Sequence, residues 1–141
     1  MDKINKSQRS KNMSAIRSRN TKPELLVRYF LTKSGVRFRC NVKGLPGKPD
    51  IAIKKYKLAL DVHGCFWHGH KNCKKFRLPK SNTEFWKLKI SENIARDQRT
   101  LTELNKMEFT YWRIWECEIE RQEFSKLQEF IATYHIKRNI C

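Results

Sequence analysis

No stretch of this chain is apolar for long enough to cross a bilayer. Its first residues, Met1-Asp2-Lys3-Ile4-Asn5-Lys6-Ser7, hold no apolar core of the kind an export signal needs. A soluble intracellular protein that engages no membrane is therefore expected, cytoplasmic in a bacterial-type cell or associated with its nucleoid. Acidic residues are scarce as well: 14 Asp and Glu stand against 31 Lys and Arg, a formal net charge of +17 on 141 residues. Such a field rewards a polyanion, so nucleic acid is the first partner to consider, ahead of a ribosomal-type or merely soluble basic protein. Internal repeats are lacking. Wholesale disorder is excluded because 39% of residues are hydrophobic, 11% are aromatic, and apolar periodicity recurs from Leu25 to Tyr134. The length allows one domain with a core of its own.

Cysteines number five, an odd count in a chain without an export signal, which ranks metal ligation above a disulfide framework. Two of them, with three of the four histidines, fall in the twelve residues Val62-His63-Gly64-Cys65-Phe66-Trp67-His68-Gly69-His70-Lys71-Asn72-Cys73. Core packing does not call for that density of ligands and proton carriers, whereas metal or acid-base chemistry does.

Residues 1 to 20 are polar and basic, as in an arm that orders on a polyanion or in a solubilising tail. The remainder, residues 21 to 141, reads as the folded domain. Thr21-Lys22-Pro23-Glu24 has the capping-box form, and the spacing of Leu25, Leu26, Tyr29 and Phe30 predicts a helix from about Lys22 to Ser34, stopped at Gly35. Val36, Phe38, Cys40 and Val42 alternate as in a strand buried on one face. After the loop Gly44-Leu45-Pro46-Gly47-Lys48-Pro49, the runs Ile51 to Ile53 and Leu58 to Val62 predict a hairpin. A long amphipathic helix is expected from Thr83 to about Lys106 on Phe85, Leu88, Ile94, Leu101 and Leu104. A β-prone run follows, Phe109 to Trp115, with Trp112 and Trp115 assigned to the core. A last helix is expected from Glu123 to Tyr134. The order α-β-β-β-α-β-α implies an α/β domain with a mixed sheet flanked by helices.

If the hairpin turns at Lys55-Tyr56, Asp50 lies opposite Asp61 and their side chains leave one face, with His63 two residues further on the same face. Opposed carboxylates repel, and Mg²⁺ commonly relieves such a pair while also holding phosphate oxygens. The patch would then hold metal at a scissile phosphate and manage the protons of attacking water and leaving oxygen. In the plainer alternative Asp50 only opens a strand and Asp61 is an edge charge. Glu24 already has a structural task in the capping box. Cys65, His70 and Cys73 offer three ligands for Zn²⁺, with Cys117 the best-placed fourth, and a closed site of four is structural. His68 and His63 are better placed toward the carboxylates. Phe66 and Trp67 lie between these groups, and Trp86 beside Phe85. Exposed aromatics on a basic protein wedge between base pairs or stack on bases, although each residue is as readily read as core.

Ser10-Lys11-Asn12-Met13, Asn20-Thr21-Lys22-Pro23-Glu24, Leu45-Pro46-Gly47-Lys48-Pro49-Asp50, Val62 to His70, Thr83-Glu84-Phe85-Trp86-Lys87 and Trp115-Glu116-Cys117 together resemble the very-short-patch-repair (Vsr) mismatch endonucleases. The blocks stand in family order across residues 10 to 117. The resemblance implies a restriction-endonuclease-like fold of the PD-(D/E)xK type. It implies nicking of one DNA strand beside the thymine of a T:G mismatch, the product of 5-methylcytosine deamination. By the same resemblance Asp50 and the Val62 carbonyl are Mg²⁺ ligands, His63 and His68 are catalytic, and Glu24 is an accessory acid. Cys65, His70, Cys73 and Cys117 correspond to a structural zinc set, Phe66, Trp67 and Trp86 to the aromatics inserted at the mismatch, and Met13 to the arm that grips DNA. Double-stranded DNA with a T:G mismatch is the implied partner. Mismatch-repair or methyltransferase-associated proteins are further candidates, and a monomer is expected. Two positions depart from the pattern. Lys71-Asn72 lengthens the zinc spacing over that of some relatives, and Asp61 stands where some have an apolar residue, making a second Mg²⁺ carboxylate expected here. The rival readings are a related nuclease without mismatch specificity, of the restriction-system kind, and a non-catalytic zinc-containing DNA-binding module.

Overall fold

A computed structural model describes residues 21–140; the basic arm 1–20, with Met13, and Cys141 lie outside the described residues. Helix α1 spans Lys22–Lys33, and the Thr21 side chain accepts the Glu24 N–H at 3.4 Å to cap it. Gly35, at φ +76°, follows the helix in the left-handed region that glycine enters without strain.

The strand expected over residues 36 to 42 shortens to β1, Arg39–Cys40. Asn41 at φ +49° breaks the extended run, so Val36 and Val42 are buried while Cys40 is exposed. Strand β2 (Ile51–Ile53) and β3 (Leu58–His63) form the hairpin. Its connection is not a two-residue turn: residues Lys54–Tyr56 make a 3-10 turn and Lys57 takes φ +55°. The register is nevertheless the expected one, with Ile53 opposite Leu58 and Ile51 opposite Leu60.

Helix α2 covers Thr83–Lys106 and carries the chain to β4, Thr110–Trp115, which pairs parallel with β3. A parallel partner requires such a crossover, and a helix is its usual form. Helices α3 (Glu116–Glu120) and α4 (Ser125–Ile140) complete the fold. Five-residue α3 is too short to show a helical period in sequence. Helix α4 runs six residues past the expected end at Tyr134, and the apolar residues of those last turns, Ile136 and Ile140, are exposed and so continue no buried stripe.

The sheet order is β1-β2-β3-β4, antiparallel except for the last pair. All six residues of β3 are buried, as in a strand covered on both faces. One face buries Ile51, Leu58, Leu60 and Ile114 against Val27 and Leu31 of α1 and Leu127 and Phe130 of α4. The other places Ala52 and Ala59 beneath Leu104 of α2, small residues that let this helix approach closely. Asp61 and His63 alternate onto that second face. Two glycines hold loops against α2. A Cβ on Gly47 would lie 2.4 Å from Thr100, and one on Gly69 2.7 Å from Ile94.

Candidate active site and metal centre

Asp50 precedes β2 and Asp61 lies in β3, opposite one another by the hairpin register. The Asp50 N–H donates to Asp61 Oδ1 at 2.8 Å, and the Val62 N–H donates to Asp50 Oδ2 at 2.8 Å. Asp50 Oδ1 receives no hydrogen bond among the described residues. Burial, then the charges of Asp61 and Glu24, push the Asp50 carboxyl up to about 8, against the opposing pull of the Val62 N–H and Arg28. Buried, and beside the carboxylates of Asp61 and Glu24, Asp50 is costly to ionise, a cost that a hard divalent cation relieves, and oxygen donors of this kind suit Mg²⁺. Glu24 reaches this acidic patch from α1 and is 2% exposed, with Arg28 Nη2 3.2 Å from its Oε2.

His63 Nε2 lies 3.7 Å from Asp61 Oδ2. Its ring stacks on His68, centroids 3.6 Å apart and planes 4° from parallel. Burial lowers the His63 pKa despite the neighbouring Asp61, favouring the neutral ring. His68 Nδ1 is 2.6 Å from Asp97 Oδ2, a residue of α2 that the sequence reading missed. Asn93, one turn earlier, donates to the Trp67 carbonyl at 2.9 Å. The pair at i and i+4 was the available signal: two polar side chains on one helix stripe, reaching for the same loop. His63, His68 and Asp97 bring donor atoms within 4.8 Å of each other, but parallel stacked imidazoles aim their in-plane lone pairs alongside one another. Acid-base work suits the trio better than chelation.

Cys65, His70, Cys73 and Cys117 also bring their ligand atoms within 4.8 Å of one another, with Cys117 Sγ 3.5 Å from His70 Nδ1. Three sulfurs and one imidazole form a donor set able to hold a metal ion such as zinc. Burial pushes the Cys65 thiol up, so a metal is the natural way to hold a thiolate there. The Cys65 N–H donates to Glu116 Oε1 at 3.0 Å, a second tie between the loop and the start of α3. Cys40 is exposed and apart from the set. Trp115 departs from its expected place in the core: it is half-buried and stacks on His70, 3.9 Å between centroids, with its edge to His63. Trp112 is buried as expected.

Phe66, Trp67 and Trp86 form a half-buried aromatic group with centroids 5.2 to 5.7 Å apart, and Phe85 beside them is 60% exposed. Leu88 at 62% and Ile94 at 44% are also exposed, so the first half of α2 turns much of its apolar stripe outward. This correction to the amphipathic reading leaves an apolar and aromatic surface next to the histidines.

The family model described as DNA mismatch endonuclease Vsr matches residues 1–75. The DNA mismatch endonuclease Vsr of Escherichia coli (strain K12) is 38% identical over 99% of this chain and 88% of its own. The chain belongs to the Vsr family. Other relatives include the type II nicking enzyme V.NmeAIP of Neisseria meningitidis serogroup A, 50% identical over 82% of each chain. The type II nicking enzyme V.XorIIP of Xanthomonas oryzae is 44% identical over 84% of this chain and 86% of its own. Vsr membership accounts for the restriction-endonuclease-like mixed sheet and makes this chain a DNA endonuclease. Among the described residues, no helix of this Vsr homologue is long and apolar enough to cross a membrane.

Proposed function

We propose that the chain nicks one strand of duplex DNA beside the thymine of a T:G mismatch, by Mg²⁺-dependent phosphodiester hydrolysis on a zinc-stabilised scaffold. The observation that carries this reading is the carboxyl of Asp50, driven up to about 8 in an acidic patch that the two stacked histidines adjoin. Asp50 and the carbonyl of Val62 are the residues that would hold Mg²⁺. The ion, when bound, supplies charge neutralisation at the scissile phosphate and lowers the pKa of a water. Asp97 takes the Nδ1–H of His68, which leaves Nε2 as the acceptor that takes a proton from the attacking water. His63, kept neutral by burial, handles a proton at the same face. The Cys65, His70, Cys73 and Cys117 set would hold zinc, clipping the loop that bears His68, Phe66 and Trp67 to the start of α3. Phe66, Trp67 and Trp86 enter the duplex where pairing is weakest, so that a wobble pair is chosen by the low cost of unstacking it.

A second reading, nicking in a restriction-system context without mismatch preference, is favoured by the relatives named as type II nicking enzymes. Strand-labelled duplexes that differ only in T:G or T:A at one position test both, with Mg²⁺ and with chelator. One labelled nick beside the T of the T:G duplex, dependent on Mg²⁺, is expected. Equal cutting of the two duplexes selects the second reading, and none of either selects a DNA-binding module.

A further inference from the structure

The second acidic residue of the hairpin is engaged quite differently from the first. Asp61 is 7% exposed, and both of its oxygens are taken by protein groups. Oδ1 accepts the backbone N–H of Asp50 at 2.8 Å, while Oδ2 accepts the Tyr111 hydroxyl at 2.7 Å and faces His63 Nε2 at 3.7 Å. Asp50 gives one oxygen to a backbone donor and keeps the other clear of donors among the described residues. Tyr111 comes from β4, where Ala59 pairs with Tyr111 and Asp61 with Arg113, so the hydroxyl crosses diagonally between parallel strands. Burial pushes the Tyr111 phenol up, and it remains a donor. Burial also raises the Asp61 carboxyl, but the neighbouring His63 ring and the bonds from the Asp50 N–H and Tyr111 outweigh it and hold Asp61 below the usual carboxylate range.

We infer that Asp61 is a positioning residue: gripped by the Tyr111 hydroxyl, it fixes the backbone at Asp50 and the ring of His63, and it is not a second Mg²⁺ ligand. The role presupposes that the Asp50 site is the Mg²⁺-dependent nicking centre proposed above. A charge-assisted hydrogen bond to a backbone N–H is short and directional, and it locks the residue whose side chain must meet the cation. Asp61 holds the Asp50 backbone through its N–H and the Val62 N–H holds the Asp50 carboxylate, so main chain and side chain of Asp50 are each fixed by a bond of their own. A single phenol on β4 thereby connects the crossover strand to the hairpin that carries the chemistry.

Tyr111→Phe removes only the hydroxyl and keeps the packed ring, so it tests the grip without threatening the fold. Asp61→Asn removes the charge. Three measurements separate the roles: amide hydrogen exchange at Asp50 in Mg²⁺-free protein, the single-turnover nicking rate at saturating Mg²⁺, and the Mg²⁺ concentration giving half that rate. Both variants are expected to lose protection at the Asp50 amide and to nick about tenfold more slowly, the size of one charged hydrogen bond. Half-saturating Mg²⁺ should be unchanged, and the double variant should be no slower than Asp61→Asn alone. The inference is overturned if Asp61→Asn needs more Mg²⁺ and regains its rate when given it, or if Tyr111→Phe matches the unmodified protein in exchange and rate. Nicking by the unmodified protein in chelator would overturn the Mg²⁺ reading itself, a failure visible before any variant is made.

Discussion

The raised carboxyl of Asp50 ties the stability of Mg²⁺-free protein to pH. Its ordinary value of 3.8 applies to the unfolded chain and about 8 to the folded one. Between these values the folded state holds a proton that the unfolded state has released, so stability falls as pH rises across that window. Asp50→Asn carries no such proton and should flatten this component. Thermal melts of the two proteins from pH 5 to pH 8 in chelator are expected to diverge, the unmodified protein losing several degrees more. Added Mg²⁺ should recover most of that loss at pH 8 in the unmodified protein only. Parallel melting curves would show that Asp50 is not under charge strain. The position of Asp50 opposite Asp61 was legible from the hairpin because strand side chains alternate strictly and register follows the apolar pairs. Asp97 offered only its i, i+4 spacing from Asn93, which does not single it out on a charged helix until the histidine it faces is placed.

Among the elements, β3 and α2 were legible nearly to the residue. A strand buried throughout and a long helix with regular apolar spacing spread their signal over many residues, whereas β1 and α3 are decided by local backbone events. Asn41 in the left-handed region cuts β1 short, and α3 is a single turn that fixes Cys117. The proposed zinc set, Cys65, His70, Cys73 and Cys117, joins that turn to a loop far away in sequence. If it holds zinc, Cys117→Ser should lower zinc from about one per chain toward none and lower the melting temperature before any loss of intrinsic activity. Metal analysis of a folded, active Cys117→Ser preparation that retains full zinc would remove Cys117 from the set. Loop 44–49 depends on close approach instead. Gly44 and Gly47 both have positive φ, but a Cβ on Gly44 meets nothing within 4 Å while one on Gly47 runs into Thr100 at 2.4 Å. Gly44→Ala therefore carries the backbone strain alone, roughly 1 to 3 kcal/mol. Gly47→Ala adds a clash with α2, and its urea midpoint should fall further than that of Gly44→Ala. Because this loop leads into Asp50, nicking by Gly47→Ala should slow even where the protein remains folded.

For the whole molecule, two energies of different kind act on DNA. The net charge of +17 attracts any duplex through its phosphates, a term that weakens steeply with salt and carries no preference for one base pair over another. In the role proposed for it, the aromatic group of Phe66, Trp67 and Trp86 acts through unstacking, which is local, costs a few kcal/mol per step, and is least at a pair already poorly stacked. The two terms should separate experimentally. Raising salt is expected to weaken binding to T:G and T:A duplexes alike, leaving their ratio nearly constant. Trp67→Ala is expected to do the opposite, lowering the T:G preference and the rate on T:G while the slope of affinity against salt stays the same. Half-burial of Trp67 against Phe66 and Trp86 means some packing is lost as well, so zinc content and melting temperature must be read alongside. A variant that melts much earlier yet keeps its T:G preference would assign Trp67 to the scaffold and leave mismatch choice without its wedge. Trp67→Phe then decides between shape and stacking area: a ring that still fills the step should restore most of the preference, whereas a scaffold role would restore stability and leave the preference where it was.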